Sequence, residues 1–491
     1  MLFDKIKSLS QQSLIYGLGY VLSRFLAFLL LPFYSHLMPP EEYGALVLVY
    51  MFIAVMQIIY IGGLDIAFLR FYVAEPDETK KRILSNCFLA TGAIALLLTL
   101  YFYNFPASVI SIMFDSPPVK ASLWVRIASG ILLLDTLSVI PLFRLRGEKK
   151  ATLFAVIKLS NVVINIAGNI VLVGMFHMGL TGALYANLIS AAAQLLILLP
   201  FLLPYLALKI RLSTLKELWR FGLPNVPAML FLYIIEFSDR KIIELTCING
   251  LEEAGLYSAG YKMGMFMAII TTAFRFAWQP FFLSEAKNEG AEKTFARIFT
   301  YFFLATGFLF MLFVMFAADL LMMKLPLIKI AILDPGYWQG MAVFPVILLA
   351  HFFDGLYANF TVGIYIKKKT KLIPVIIGAG AVFNLSANIL VIPRFGMMGA
   401  AWTTLGSFIL MAWLLYTLIN RHYPIPYEWG RILKFSIIWA IVMAIYFAFT
   451  PYIWVRFLLI LIVPIMLYFA NFFNQSEINR LKSTLKLAKD I

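Results

Sequence analysis

The sequence predicts an all-α integral membrane protein with 14 transmembrane helices: two parallel six-helix lobes plus two C-terminal helices. Composition is the first reason, because 62% of the 491 residues are hydrophobic and only 13% are charged. In ordinary soluble domains roughly a quarter of the residues are charged. A regular alternation of loop charge and an internal repeat are the second and third reasons.

A membrane-crossing helix needs about 20 apolar residues, and fourteen segments of the chain meet this requirement. These segments are 13–37, 43–71, 83–105, 119–143, 151–173, 179–203, 218–243, 252–275, 297–322, 338–366, 371–392, 398–420, 431–450 and 453–473. The first segment is longer than the core of a signal peptide and lacks a small-residue cleavage site, so it is predicted to be a retained helix.

Basic residues are concentrated in every second loop. The clusters are Lys80–Arg82, Arg144–Lys150, Lys209–Arg220, Lys287–Arg297 and Lys367–Lys371. Positively charged loops stay in the cytoplasm, so both termini are predicted to be cytoplasmic, which requires an even number of spans. The net charge of +15 therefore reflects orientation in the bacterial or archaeal cytoplasmic membrane, and nucleic-acid binding is not expected.

Two segments of the first half recur in the second half. PPEEYGAL (39–46) matches GLEEAGLY (250–257), and NIAGNIVLVGMFHMGLTGAL (165–184) matches NLSANILVIPRFGMMGAA (384–401). Six predicted spans separate the copies, so both halves have the same orientation, as in transporters whose sites lie between two repeats. The predicted units are an N-terminal lobe (1–205), a C-terminal lobe (206–424), helices 13 and 14 (425–474) and a basic cytoplasmic tail (475–491).

Ionisable residues inside predicted spans are candidate functional residues, because an unpaired charge in hydrocarbon is costly. Arg24 lies near the middle of the first span. Lys158, Asn161, Asn165 and Asn169 share one face of the fifth span. A polar stripe of this kind must face the bundle interior or a wet cavity, and hydrogen bonding between helices is the alternative to ligand binding.

Other spans carry further candidates. His351 and Asp354 lie one turn apart in the tenth span, where they would relay protons or hold a coupling ion, or else fix helix packing. In the seventh span Glu236 and Arg240 are spaced for a local pair, which would leave Asp239 free. The remaining candidate binding residues are Arg70, Arg126, Tyr257, Tyr261 and Lys262.

Several chemistries have no matching motif. The sequence contains no nucleotide-binding loop, zinc motif or nucleophile elbow, and its two cysteines, Cys87 and Cys247, match no disulfide framework or metal spacing. These observations predict secondary rather than ATP-driven transport, and the protein is not expected to be an enzyme. We expect no cofactor, with H⁺ or Na⁺ as the coupling ion.

Three motifs together resemble one family. They are YVLSRFLAFLLLPFYSHLMPPEEYGALVL (20–48), GLDIAFLRFY (63–72) and FSDRKII (237–243). The chain resembles the polysaccharide (O-antigen-type) flippases of the multidrug/oligosaccharidyl-lipid/polysaccharide exporter superfamily, over essentially its whole length. The resemblance implies alternating-access transport of an undecaprenyl-pyrophosphate-linked oligosaccharide, such as a lipopolysaccharide repeat unit. The implied partners are this polyprenyl-linked glycan, membrane lipid, and the polysaccharide polymerase and chain-length machinery.

The resemblance also implies roles for particular residues. Arg24 would receive the pyrophosphate, since guanidinium offers a planar fork of donors to phosphate oxygens, and an internal ion pair is the alternative. The related lipid II flippases bind a cation between helices 7, 11 and 12. The matching positions here are Asp239, Asn384, Asn388 and Thr404, with an amide at 388 in place of a carboxylate.

Three alternative functions stay open at this point. Two belong to the same superfamily: a lipid II flippase and a multidrug or cation antiporter. The cationic character of the predicted interior argues against a cation exporter. The third is a membrane polysaccharide polymerase or ligase, an enzyme class that usually needs a large external catalytic loop, and the predicted external loops are short.

Overall fold

The computed structural model describes residues 28, 30–74, 76–207, 211–324, 331–449, 452–474 and 477. Apart from an isolated bridge between Lys324 and Ala331, these residues form helices and short connections. Arg24 and most of the first predicted span lie outside the described residues, as does most of the tail.

The helices are numbered here along the chain. The first half contains α1 (30–35), α2 (Pro40–Ile61), α3 (Leu64–Ala74), α4 (Asp77–Asn104), α5 (Ala107–Met113), α6 (Ala121–Gly147), α7 (Ala151–Asn169), a π-helical turn (Ile170–Met175) and α8 (Gly179–Leu202). The second half contains α9 (Leu212–Gly222), α10 (Val226–Thr246), α11 (Gly250–Glu285), α12 (Ala291–Met322), α13 (Phe344–Phe360), α14 (Val362–Ile366) and α15 (Leu372–Asn420). The last two helices are α16 (Trp429–Phe449) and α17 (Ile453–Phe469).

Among the described residues, ten helices are long and apolar enough to cross a membrane, or eleven if the bent pair Leu212–Asn225 and Met229–Thr246 forms one span. The helix α17 has only 17 residues. The element α15 has 49 residues and consists of two helical segments joined at a kink at Gly396, each long enough to cross a hydrocarbon core of about 30 Å. The described chain is therefore a multi-pass helical membrane protein, and the count of fourteen spans stays a prediction.

Glycines mark two breaks in the helical path. Gly62 and Gly63 both have positive φ and divide the predicted second span into α2 and α3. Gly396 (φ 52°, ψ −140°) bends α15 between the predicted eleventh and twelfth spans. Glycine has no Cβ, so it adopts these backbone conformations at little cost.

The alternation of spans gives the bundle two different ends. The connections at 148–150, 286–290 and 367–371 carry basic residues, and this end is called the basic face. The connections at 36–39, 114–120 and 247–249 lie at the opposite end, called the outer face.

The two halves meet where α2 crosses α11. A Cβ added to Gly44 would overlap the carbonyl oxygen of Leu251, and one added to Gly255 would overlap the carbonyl oxygen of Pro40. Gly44 and Gly255 occupy the same position in the first pair of repeated segments, and so do Pro40 and Leu251. The contact is therefore reciprocal, which is the signature of a two-fold relation between its two sides.

The second pair of repeated segments is tied to the first in the same way in each half. Glu42 accepts a hydrogen bond from the backbone N–H of Leu180 at 2.7 Å. Its repeat counterpart Glu253 accepts one from the N–H of Met397 at 2.8 Å. Each acceptor lies beside a positive-φ glycine, Gly179 or Gly396. In both halves a carboxylate thus caps the start of a helical segment, which the helix dipole favours.

We predict that Gly255→Ala separates α2 from α11 and lowers the stability of the folded protein by about 1–3 kcal/mol, the usual cost of overpacking. The measurement is the unfolding midpoint in detergent. Gly430→Ala is the matched control, because no atom lies within 4 Å of a Cβ at that position. Equal midpoints for the two variants would show that the close crossing is not required.

A second prediction concerns orientation. Ile248 is fully exposed in the connection after α10, and Lys287 is exposed in the connection after α11. In a chain lacking its native cysteines, Ile248→Cys should react with a membrane-impermeant maleimide on intact cells, and Lys287→Cys only after permeabilisation. The reverse pattern would contradict the predicted topology.

The native Cys247 is a poorer probe than an introduced cysteine. Burial and the neighbouring Glu253 raise the pKa of its thiol to about 12. Only the thiolate reacts with maleimide. Because the pKa is raised, little of the Cys247 thiolate is present at neutral pH. Its labelling should accelerate as pH rises, whereas Cys87 is fully buried and should stay unlabelled from both faces.

Candidate functional site

A cavity of about 600 Å³ lies in the second half of the chain, between α10, α11, α13, α14 and α15. Its lining combines aromatic rings with ionisable and hydroxyl groups. The polar lining residues are Tyr233, Glu236, Tyr261, Thr272, Arg275, Gln279, His351, Asp354, Tyr357, Thr361 and Tyr365. Its volume is that of sites that bind small molecules, which typically enclose about 300–1,000 Å³.

An ion pair bridges α11 and α13 in the cavity wall. Arg275 Nη2 lies 2.5 Å from Asp354 Oδ1 and donates a second hydrogen bond to the backbone oxygen of Asp354 at 3.1 Å. The Arg275 side chain remains 41% exposed and that of Asp354 17% exposed. Both charged groups are therefore paired and still accessible from the cavity.

The sequence prediction included Asp354 but missed Arg275. The predicted eighth span ended at residue 275, which made this arginine a boundary residue, whereas α11 continues to Glu285. The signal was available, because Phe274, Phe276, Ala277 and Trp278 surround Arg275 with apolar residues. A cation flanked on both sides by such residues is an intramembrane charge.

His351 and Tyr261 form an aromatic part of the same wall. The ring of His351 packs edge-on to that of Tyr261, with centroids 5.8 Å apart, and lies 5.7 Å from that of Phe408. His351 is buried. The structure thus brings together His351, Asp354 and Tyr261, three of the predicted residues, around one cavity.

A second polar group lies beside the cavity, at Asp239 and Arg240 of α10. Asp239 Oδ1 accepts hydrogen bonds from the backbone N–H of Arg240 at 2.8 Å and from its Nη1 at 2.6 Å. Tyr257 Oη donates to the other carboxylate oxygen, Oδ2. The prediction that Asp239 stays free is therefore wrong. Arg240 folds back along its own helix, donating to the backbone oxygen of Glu236, and so reaches the neighbouring carboxylate.

The amides predicted on α15 form a cluster with neighbouring hydroxyls. Asn384 Oδ1 accepts hydrogen bonds from Asn388 Nδ2 at 3.0 Å and from Ser238 Oγ at 3.2 Å. Thr403, rather than the predicted Thr404, donates to Asn388 Oδ1. All four predicted residues, including Asp239 and Thr404, are fully buried. Ser238 and Thr403 were missed because their hydroxyls are inconspicuous in an apolar helix.

The asparagine stripe on α7 is hydrogen-bonded to neighbouring helices. Tyr34 Oη donates to Asn169 Oδ1 at 2.7 Å, which ties α7 to α1. Asn161 Nδ2 donates to the backbone oxygen of Ser190 on α8 at 2.9 Å, and Asn165 Nδ2 donates to Ser190 Oγ at 3.4 Å. The stripe therefore has interhelical partners along its length, and its ligand-binding role stays a prediction.

Other predicted binding residues lie elsewhere. Arg70 is exposed on α3, with its guanidinium 4.2 Å from the centre of the Phe221 ring. Arg126 is exposed on α6 and donates to the backbone oxygen of Tyr103 at 3.1 Å. Lys158 interacts electrostatically with Asp135 of α6. Lys262 is half-buried beside Tyr261 and is not among the residues that line the cavity.

A family model described as "Polysaccharide biosynthesis protein" matches residues 34–326, which is more than half of the chain. The chain belongs to this polysaccharide biosynthesis family. The family resemblance recognised in the sequence is thus confirmed. No curated protein sequence matches the chain.

Solved structures of membrane transporters share the fold. A lipid II flippase MurJ in an inward closed conformation superposes with a TM-score of 0.73 at 15% identity, covering 93% of this chain and 98% of that one. An inward-facing multidrug resistance MATE transporter of the MOP superfamily gives a TM-score of 0.64 at 14% identity, covering 83% and 94%. The MATE transporter VcmN of Vibrio cholerae, in its bent form, gives 0.57 at 12% identity, covering 85% and 97%. The family member described here therefore has the fold of MOP-superfamily transporters.

We predict that Tyr34→Phe destabilises the protein by about 1–3 kcal/mol, because it leaves the buried Asn169 oxygen without this donor. The unfolding midpoint in detergent tests this, with Tyr452→Phe, at an exposed tyrosine, as the control. A normal midpoint combined with lost transport would instead favour a ligand-binding role for the stripe.

Proposed function

We propose that the protein is a flippase that carries a polyprenyl-pyrophosphate-linked oligosaccharide across the cytoplasmic membrane by alternating access. The observation that carries this proposal is the cavity in which Arg275 is paired with Asp354 and yet accessible. Membership of the polysaccharide biosynthesis family supports the substrate class.

Arg275 is suited to receive a pyrophosphate. Its guanidinium is always charged and forms paired hydrogen bonds with phosphate oxygens. When the site is empty, Asp354 neutralises this charge at 2.5 Å, which avoids leaving a bare cation in a membrane-embedded cavity. An arriving pyrophosphate would displace the carboxylate. Arg24, the cation predicted for the first span, is proposed as the contribution of the first half to the same ligand.

The rest of the lining suits a sugar. Trp278, Tyr357 and Tyr365 are aromatic residues of the cavity lining. Such side chains offer both apolar contact and hydrogen bonding. The amide stripe on α7, with Lys158, is proposed to contact further sugar or phosphate groups. The prenyl chain would stay in lipid, which spares the cavity from enclosing it.

The outer face is closed by contacts between the two halves. The backbone N–H of Asp334 donates to Ser35 Oγ at 3.2 Å, and Tyr337 Oη donates to the backbone oxygen of Met38 at 2.9 Å. His36 lies 3.6 Å from Asp334. These five residues are called the outer latch. With the latch formed, we propose that the substrate enters from the basic face or from the membrane.

A second bridge reinforces this closure. Glu244 of α10 accepts a hydrogen bond from the backbone N–H of Asp115 in the first half at 2.6 Å. Lys241 lies 2.5 Å from Glu244 and donates to the backbone oxygen of Met113 at 3.3 Å. Alternating access would require these bonds to break when the cavity opens outward.

The proposal includes the predicted architecture. We propose fourteen spans, lobes at 1–205 and 206–424, helices 13 and 14 at 425–474, and cytoplasmic termini with a basic tail at 475–491. Polysaccharide polymerase and chain-length proteins are proposed partners. Coupling to H⁺ or Na⁺ is proposed to act at Asp354 and His351, where an ion would compete with the Arg275 pair.

We predict that Arg275→Ala abolishes transport while protein levels stay near normal, and that Arg275→Lys retains part of it. Lysine keeps the charge but loses the planar fork of donors. Transport is measured as polysaccharide export in cells lacking the native gene, with protein quantified by immunoblot.

Arg421→Ala provides the control, because Arg421 is exposed at the end of α15. Purified protein should bind undecaprenyl pyrophosphate in detergent, and Arg275→Ala should weaken that binding at least tenfold, about 1.4 kcal/mol. Normal export by Arg275→Ala would refute the proposed role. If Arg275→Ala weakens the binding of lipid-linked pyrophosphate and of free pyrophosphate by the same factor, this would show that the headgroup alone is recognised.

A further inference from the structure

The family resemblance implied a bound ion beside Asp239, and the structure places the guanidinium of Arg240 next to that carboxylate. The resemblance assigned Asp239, Asn384, Asn388 and Thr404 to a cation site. A hard cation such as Na⁺ binds oxygen atoms whose lone pairs point at it and are not occupied by N–H or O–H donors. The hydrogen bonding of these four residues tests that assignment.

The carboxylate of Asp239 is already surrounded by donors. Its Oδ1 accepts two hydrogen bonds from Arg240, and its Oδ2 accepts one from Tyr257. The carboxylate is fully buried and the Arg240 side chain is only 5% exposed. The one full negative charge in the predicted set is therefore neutralised by a guanidinium that solvent does not reach.

Aromatic rings hold the guanidinium in place. Its central carbon lies 4.2 Å from the ring centre of Tyr261, 5.3 Å from that of Tyr257 and 5.4 Å from that of Phe237. Cations over such ring faces are stabilised, more strongly when they are desolvated. Arg240 is thus enclosed like a bound cation, by one carboxylate and three rings.

The amide oxygens on α15 are also occupied. Asn384 Oδ1 accepts from Asn388 and Ser238, and Asn388 Oδ1 accepts from Thr403. Among the described residues, no group of three or more His, Cys, Asp and Glu side chains could hold a metal ion. Of the four residues, only Thr404 has a buried hydroxyl with no hydrogen-bond partner among the described residues. One neutral oxygen does not make a cation site, so the residues present do not fit a bound cation.

We infer that the guanidinium of Arg240 is a resident substitute for a metal cation at Asp239, so this position takes no ion from solution and its charge state stays constant through transport. Guanidinium keeps its proton throughout the physiological pH range. The pair also removes the cost of a lone carboxylate inside the membrane without depending on the ion composition outside.

The first test uses the unaltered protein. Its unfolding midpoint in detergent should respond to the replacement of Na⁺ by choline at constant ionic strength no more than that of Asp239→Asn, and ²²Na⁺ should not bind in a way that Asp239→Asn removes. Saturable Na⁺ binding abolished by Asp239→Asn would overturn the inference without requiring any arginine variant to fold.

The second test removes the resident cation. Arg240→Ala leaves the Asp239 carboxylate facing a space of guanidinium size, so its midpoint should fall in choline and recover saturably as Na⁺ is added, by the linkage between binding and stability. Arg240→Lys, which keeps a positive charge, should respond to Na⁺ no more than the unaltered protein does, and the same holds for the neutral double variant Asp239→Asn/Arg240→Gln.

Arg144→Ala is the matched control. Arg144 is another buried arginine beside a carboxylate, 2.6 Å from Glu148, but Glu148 also has Lys150 at 2.8 Å and the hydroxyl of Tyr72 at 2.7 Å. Its loss should destabilise the protein without creating Na⁺ dependence. A folded Arg240→Ala variant indifferent to Na⁺, or one that responds no more than Arg144→Ala, would overturn the inference. All these readouts are independent of transport, so failure here is distinguishable from failure of the proposed function.

Discussion

The backbone contact between Gly44 of α2 and Gly255 of α11 is the constraint on which the relation of the two halves depends. Any side chain at either position would overlap a carbonyl oxygen of the facing helix. The contact lies one turn from the outer ends of both helices, where the outer latch and the Glu244 bridge also join the halves. The contacts that join the halves at this end therefore accompany a close approach that only the smallest residue permits.

The repeat explains why one such contact is enough to organise both halves. Gly44 and Gly255 are equivalent, and so are the carboxylates of Glu42 and Glu253, each of which caps the start of a helical segment in its own half. Each half is thus tied internally by the same device and meets the other at the same residue. The halves differ in what they build on this scaffold, since the cavity with Arg275 belongs to the second half.

The sequence predicted features that depend on local apolar pattern, and missed a backbone break and a pairing that depends on side-chain direction. Apolar length located the helices, and the repeat predicted the equivalence that the glycine contact displays. The break at Gly62 and Gly63 was missed because apolar residues continue on both sides of it. The pairing of Arg240 with Asp239 was missed because neighbouring residues on a helix usually point apart, and only the folding back of a long side chain brings them together.

Exposure, rather than charge alone, separates the Asp239–Arg240 pair from the Arg275–Asp354 pair. Asp239 and Arg240 are both closed off from solvent, so exchanging either partner would require a bare charge in a medium of low dielectric constant. Arg275 and Asp354 have a similar separation, but both line the cavity, where the proposed function requires an incoming anion or cation to replace one partner. Both ion pairs occur in one bundle, the buried pair on α10 and the cavity pair between α11 and α13. This is possible because α10 and α11 each present one face to the cavity and the other to the packed core.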